Sequence, residues 1–251
     1  MTLLFEIKDA IDAEEFSRTI TPNARKVMEI LGKYGFGFRI VGGAVRDFLV
    51  GKIPRDIDFA TDADPAEIIF VLDLEGIDHD AGGIGHGTIK AVFDDEKVDI
   101  TSISHRISVG NDSHVRSERH RTWQDDAARR DLTINSMSAD IDGTLYDYTN
   151  GVDDLKNQTI RFNPGAAEKI EQDPFTMLRW FKAIALFDDP KWLKSDKRLI
   201  SSKASLVAKA RDDDRTKALL ASLVTNPRWN LVNRLMCQTG VAKHLRVNCG
   251  D

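Results

Sequence analysis

Two carboxylates, Asp56 and Asp58, stand one residue apart near the end of "FRIVGGAVRDFLVGKIPRDIDFAT", the stretch from Phe38 to Thr61. "DIDFAT" reads as a strand, in which residues two apart point to the same face. The two carboxylates therefore project together, while Ile57 and Phe59 turn the other way into a core. Adjacent carboxylates repel one another unless a cation lies between them. Magnesium is the cation expected, because it is a hard ion that prefers carboxylate and phosphate oxygens. Two such ions about 3.5–4 Å apart activate an attacking hydroxyl and stabilise a leaving phosphate. Gly42 and Gly43 suit the same chemistry: without side chains, their N–H groups can approach a phosphate closely at the start of a helix. Arg46, one turn into that helix, adds a positive charge.

The elements that must hold these residues are legible on either side. "PNARKVMEILGKY" reads as a helix closed by glycines, "FRIVGG" as a strand ending in a turn, and "AVRDFLV" as a helix stopped by Gly51. Asp64, Pro65 and Glu67 read as the cap, first and third positions of a helix through "AEIIFVL". "TIKAVF" and "KVDITSI" flank the polar turn "DDEK" as an antiparallel hairpin, and Asp142-Gly143 centres a second one. From about residue 165 the pattern is helical, through "AAEKIEQDPFTMLRWFKAIALF", "KASLVAKA", "TKALLASLV" and "WNLVNRLMCQTGV". The fold class expected is α+β up to about residue 160 and nearly all helix beyond.

A chain of 251 residues with 41% hydrophobic content can bury a real core. No apolar run is long enough to span a membrane, and Glu6, Lys8 and Asp9 interrupt any leader, so a soluble, cytoplasmic protein is expected. Cys237 and Cys249 alone do not make a disulfide framework. His79, His86, His105, His114 and His120 show no zinc-binding spacing. "GGIGHG" lacks the helix of a dinucleotide fingerprint and reads as a turn. Charge is uneven: residues 191–251 hold 13 basic and 5 acidic groups, +8, and the remainder carries −13. An acidic part suited to metal and a basic part suited to phosphate is one reading; an ordinary solvated helical surface is the other.

These residues carry a resemblance. "IVGGAVRDFLVGKIPRDIDFAT" resembles the signature of the class II tRNA nucleotidyltransferase and bacterial poly(A) polymerase family. "DDAARRDLTINSMSAD", "DYTNGVDDLKNQTIRF", "EQDPFTMLRWFKA" and "DRTKALLASLVTNPRWNLVNRLMCQTGV" resemble its later motifs, in order, to about residue 245. The resemblance implies a nucleotidyltransferase head with a mixed sheet and flanking helices over residues 1–160. It implies an all-helical neck and short body, binding RNA, over 161–251, with the tail domain absent. It implies template-independent addition of C or A nucleotides, from CTP and ATP, to tRNA 3′ ends, with Mg2+ held by Asp56 and Asp58. Gly42, Gly43 and Arg46 match the triphosphate turn; Arg129, Arg130, Asp131 and Asn135, at the start of a helix, match a motif contacting phosphates and ribose. Asp99 falls where a third catalytic carboxylate is common, although an edge-strand aspartate facing water reads equally well. Asn150, Gly151 and Asp154 match a hinge motif, or a plain Asn-Gly turn. "HVRSERHRTW" occupies the place of a flexible loop and reads as an RNA contact or a solvated loop.

Two departures qualify the resemblance. The family's base-selecting helix reads Glu-Asp-x-x-Arg with another Arg three residues later; here Gln172, Asp173 and Thr176 precede Arg179. Asp173 and Arg179 remain to read the base, nearly two helical turns apart, and selection is expected to be looser. On this reading Thr176→Arg would restore selectivity. The chain also ends where a tail gripping tRNA would begin, so two expectations stand: the basic C-terminal part holds the acceptor stem alone, or a protein partner supplies the missing grip. A poly(A) polymerase and a non-catalytic RNA-binding derivative of the fold are the rival readings.

Overall fold

The computed structural model describes residues 11–103 and 122–249. They form two compact units. A sheet unit holds the described residues up to Ala128 together with Asn135–Thr149. A helical unit holds Arg129–Ile134 and the described residues from Asn150 onward.

In the sheet unit the strands are β1 (Phe38–Val41), β2 (Asp58–Thr61), β3 (Asp78–Asp80), β4 (Thr88–Val92), β5 (Lys97–Ser102), β6 (Ser138–Ala139) and β7 (Leu145–Tyr146). The helices are α1 (Ala13–Arg18), α2 (Pro22–Lys33), α3 (Gly43–Leu49), α4 (Pro65–Leu74) and α5 (Trp123–Ala128). The strands make one mixed sheet in the order β3-β4-β5-β2-β1-β6-β7. All neighbours are antiparallel except β2 and β5, which run parallel with Phe59 opposite Ile100. Both expected hairpins form. The expected cap of α4 forms as well: Asp64 accepts from the Glu67 N–H, and Glu67 accepts from the Asp64 N–H. Ile40, Phe59, Ile89 and Ile100 are fully buried in the sheet. Each such side chain contributes about 1.5–3 kcal/mol of burial, which fixes the register of every strand carrying them.

The helical unit contains α6 (Gly151–Lys156), α7 (Ala166–Gln172), α8 (Phe175–Ile184), α9 (Lys194–Lys203), α10 (Asp214–Val224), α11 (Trp229–Gln238) and α12 (Val241–Leu245). A two-stranded parallel ribbon, β8 (Thr159–Ile160) with β9 (Lys191–Trp192), interrupts the helices. Trp180 and Phe181 of α8 are fully buried, and the two rings meet edge to face.

Four local expectations are corrected. β2 begins at Asp58, so Asp56 lies ahead of the strand rather than in it. The helix expected through "AAEKIEQDPFTMLRWFKAIALF" is two helices, parted at Asp173, whose backbone is extended (φ −134°, ψ 94°). Pro174 is the cause, since the residue before a proline is pushed out of the helical region. Arg129, Arg130 and Asp131 precede a short 3-10 turn, Thr133–Asn135, rather than an α-helix. Cys237 and Cys249 are joined by a disulfide, with their Cα atoms 5.8 Å apart, an ordinary separation for such a bridge.

Candidate functional site

The sheet unit holds the carboxylate pair. Ile57 and Phe59 are buried, whereas Asp56 is exposed and Asp58 part-exposed, and only Asp58 is in the strand. Asp99 lies on β5, one residue before the Phe59–Ile100 pair that aligns it with β2. Its carboxylate receives the Lys90 ammonium from the opposite strand at 2.6 and 2.7 Å. Among the described residues no group of three or more His, Cys, Asp or Glu side chains is gathered as a metal cage.

The glycine turn is built at the end of β1. Gly42 has φ 73° and ψ −126°, a conformation open to glycine and strained for other residues. Its N–H donates to the Met137 carbonyl at 3.1 Å. That donor is therefore occupied, and the glycine's part is to turn the chain into α3. Arg46 is largely buried and held on two sides. Its Nε and Nη2 reach Asp47 at 2.8 and 2.7 Å, and its Nη1 donates to Asn135 Oδ1 at 2.5 Å. Two sequence-predicted site residues, Arg46 and Asn135, thus meet directly.

The helical unit gathers a second set. Asp131 is buried and receives two cations: Lys169 Nζ lies 2.6 Å from Oδ1, and Arg179 Nη1 bonds Oδ2. Burial pushes the Asp131 carboxyl up, but the Arg179 and Lys169 charges outweigh it and hold the group below its usual range. Burial lowers Lys169 despite Asp131 beside it. The backbone around Asp131 is fixed as well. Lys169 Nζ also bonds the Arg129 carbonyl, and Asn163 Nδ2 donates to the Arg130 carbonyl at 2.8 Å.

Arg179 extends from Asp131 to Asp173, with Nη2 3.4 Å from Asp173 Oδ2. The break at Pro174 makes this contact possible by holding Asp173 outside α8. The two residues retained from the base-selecting motif are therefore neighbours. Arg215, which sequence reasoning did not single out, lies on the other side of Asp173, its Nη2 3.9 Å from Oδ1. Thr176 does not join them. It is fully buried, and its hydroxyl has no hydrogen-bond partner among the described residues. Thr176→Arg would start from a core position, so the expectation that it restores selectivity is withdrawn. In the hinge motif, Asn150 adopts the left-handed conformation (φ 60°) ahead of α6. Asp154, nearly buried, accepts from Thr133 Oγ1 at 2.5 Å and from Arg161 Nε at 2.9 Å. The loop "HVRSERHRTW" lies outside the described residues except for its last two, Thr122 and Trp123; the Trp123 ring has the Arg39 guanidinium 4.4 Å from its centre.

Residues 38–161 match the family described as "Poly A polymerase head domain". The "CCA tRNA nucleotidyltransferase 1, mitochondrial" of Mus musculus is 36% identical over 96% of this chain and 56% of its own length. The chain belongs to the class II tRNA nucleotidyltransferase and poly(A) polymerase family. Another member, the protein of the same name from Danio rerio, is 42% identical over 68% of this chain and 40% of its own length. The fold is that of a family structure, the Bacillus stearothermophilus CCA-adding enzyme in complex with CTP. The TM-score is 0.71 at 24% identity, over 90% of this chain and 54% of that one. The chain thus spans about half the length of the curated relatives it matches. Among the described residues no helix is long and apolar enough to cross a membrane.

Proposed function

We propose that this chain is a template-independent nucleotidyltransferase that adds C or A residues to tRNA 3′ ends from CTP and ATP. The observation that carries the reading is the Asp56-Ile57-Asp58-Phe59 alternation following the Gly42 turn, in a chain related along most of its length to a named CCA tRNA nucleotidyltransferase. A relative's name is also the source of the substrate, and the CTP complex of the Bacillus enzyme supports the nucleotide.

Asp56 and Asp58 fit a divalent cation. They offer hard oxygens from an exposed and a part-exposed position, in reach of water, and magnesium commonly takes one or two carboxylates and fills its remaining positions with water and phosphate. Bound there, Mg2+ supplies activation of the RNA 3′-hydroxyl and charge stabilisation on the leaving pyrophosphate. Asp99 serves as a third acidic group whose charge is balanced by Lys90. The reaction joins the 3′-oxygen to the α-phosphorus of the nucleotide and breaks the bond to the β-phosphate; the hydroxyl proton is released. The chain's own part is orientation and charge. Gly42 turns the backbone so that Gly43 and Arg46 address the triphosphate. Arg129, Arg130, Asp131 and Asn135 hold phosphates and ribose, and Asp173 and Arg179 read the base. The basic residues of 191–251 take the RNA phosphates. Residues 1–160 act as the catalytic head and 161–251 as the helical RNA-binding part. The cytoplasmic expectation stands beside vertebrate relatives named as mitochondrial.

The test is incorporation of labelled nucleotide into tRNAs ending before CCA, after C and after CC. Addition of C, C and A respectively supports the reading. Extended runs of A would favour a poly(A) polymerase, and binding without incorporation would favour the non-catalytic alternative.

A further inference from the structure

We propose that Arg215 is a base-reading residue that supplies the guanidinium this chain lacks at Thr176; the inference rests on the nucleotide-transfer reading above. The family motif places an arginine three residues after the aspartate, and here that position is the buried Thr176. A guanidinium nevertheless stands beside Asp173, delivered from the start of α10. Arg179 approaches one carboxylate oxygen at 3.4 Å and Arg215 the other at 3.9 Å. Between them is the half-buried ring of Phe175, with its centre 5.2 Å from the Arg179 guanidinium carbon and 5.0 Å from that of Arg215. The result is one acceptor, two forks of donors and an aromatic surface within a single part-exposed cluster.

Arg215 is held in place rather than swinging freely. Its Nε and Nη2 donate to Asp213 Oδ2 at 3.1 and 2.9 Å, and its backbone N–H donates to Asp213 Oδ1 at 2.9 Å. Asp213 caps α10, so helix formation and guanidinium placement are one event. Nothing among the described residues accepts from its Nη1, and the side chain is 58% exposed. A pre-oriented fork with unused donors beside a carboxylate matches one pattern on a base edge: an amine next to an unprotonated ring nitrogen. Cytosine and adenine present that pattern. Uracil and guanine present a carbonyl next to a ring N–H, which opposes the acceptor to an acceptor and the donor to a donor. Asp173 accepts a hydrogen bond from the amine, Arg215 donates to the ring nitrogen, and Arg179 holds Asp173 in orientation while tied to Asp131.

The test compares the full-length chain with Arg215→Gln, Arg215→Lys and, as a matched charge control, Arg18→Gln on an exposed position of α1. Single-nucleotide incorporation is measured with all four nucleotides, and binding of CTP and UTP is measured by calorimetry without RNA. Arg215→Gln should lower the preference for CTP over UTP about tenfold, the lower end for one charge-assisted hydrogen bond at a partly exposed site. The loss should appear as a raised KM for CTP and ATP with UTP and GTP little changed. Arg215→Lys should restore only part of it, and Arg18→Gln should change nothing. Equal loss for all four nucleotides, or an unaltered preference in Arg215→Gln, would overturn the proposal; so would failure of the parent chain to bind either nucleotide. A chain that binds CTP with an Arg215-dependent preference but transfers nothing would refute the transfer reading and leave this one standing.

Discussion

Asp131→Asn isolates the ion cluster at the centre of the helical unit. The substitution keeps the size of the side chain and removes its charge. What remains is Lys169 and Arg179 facing a neutral amide, with Lys169 also held against the Arg129 carbonyl. Breaking a buried ion pair costs about 3–5 kcal/mol because the surviving charge is stranded. Both cations here keep about a third of their side-chain surface, 30% for Lys169 and 35% for Arg179, so water recovers part of that cost. A loss of about 2–3 kcal/mol follows, or a drop in Tm of roughly 4–12 °C for a chain of this size. The pH dependence gives a second signature. The folded carboxyl titrates below its ordinary value of 3.8, so its contribution is complete above that pH and is lost as pH falls from 3.8 through the lower folded value. Thermal denaturation of parent and variant from pH 7 to pH 3 measures both effects. The difference between them should be largest at neutral pH and shrink below about pH 4. A variant within about 0.5 kcal/mol of the parent at pH 7, or with an identical acid limb, would refute the ion-cluster argument.

Asp58→Ala should lower transfer on the order of a thousandfold while leaving the denaturation midpoint within a few degrees, because a metal ligand is lost from a part-exposed position; incorporation and circular dichroism together check this. Thr176→Val should raise stability by about 1 kcal/mol, since it replaces a buried hydroxyl without a partner by a methyl group of the same shape; urea denaturation reads the shift, and destabilisation would mean that the hydroxyl is bonded. Replacing exposed Lys191, Lys194 and Arg198 with glutamine should weaken tRNA binding and lower its salt slope by about two, given roughly 0.7–0.9 per phosphate contact; an unchanged slope in filter binding would move the RNA contacts elsewhere.

The sequence made the sheet unit legible because its signals are local. Asp64-Pro65-x-Glu67 specifies its own cap, and Asp142-Gly143 its own turn. Gly42 announces a conformation only glycine adopts easily. The alternation of Ile57 and Phe59 with the two aspartates was readable for the same reason, although the strand begins only at Asp58, where pairing with β1 starts. Less legible were features decided at long range. Whether Gly42's N–H is available depends on Met137, distant in sequence. Asp99 reads as an acidic catalytic candidate until Lys90, across the hairpin, is placed on it. The helical period of "EQDPFTMLRW" masked the break at Asp173, although Pro174 was a sufficient warning. Arg215 could not be found from the motif, because it reaches Asp173 from another helix. The count of two cysteines gives no framework, whereas the segment after α12 returns to α11, where Asn233 Nδ2 donates to the Asn248 carbonyl at 3.0 Å and Cys249 meets Cys237.

The central claim is that Asp56 and Asp58 serve nucleotide transfer to a tRNA 3′ end. It is tested most directly by incubating the full-length chain with Mg2+, labelled CTP or ATP, and a tRNA ending after CC, beside the Asp58→Ala variant. The account predicts that a single A is added by the parent chain, little C is added, and neither is added by the variant. Incorporation by Asp58→Ala at a rate near the parent's, with both proteins folded, would contradict it.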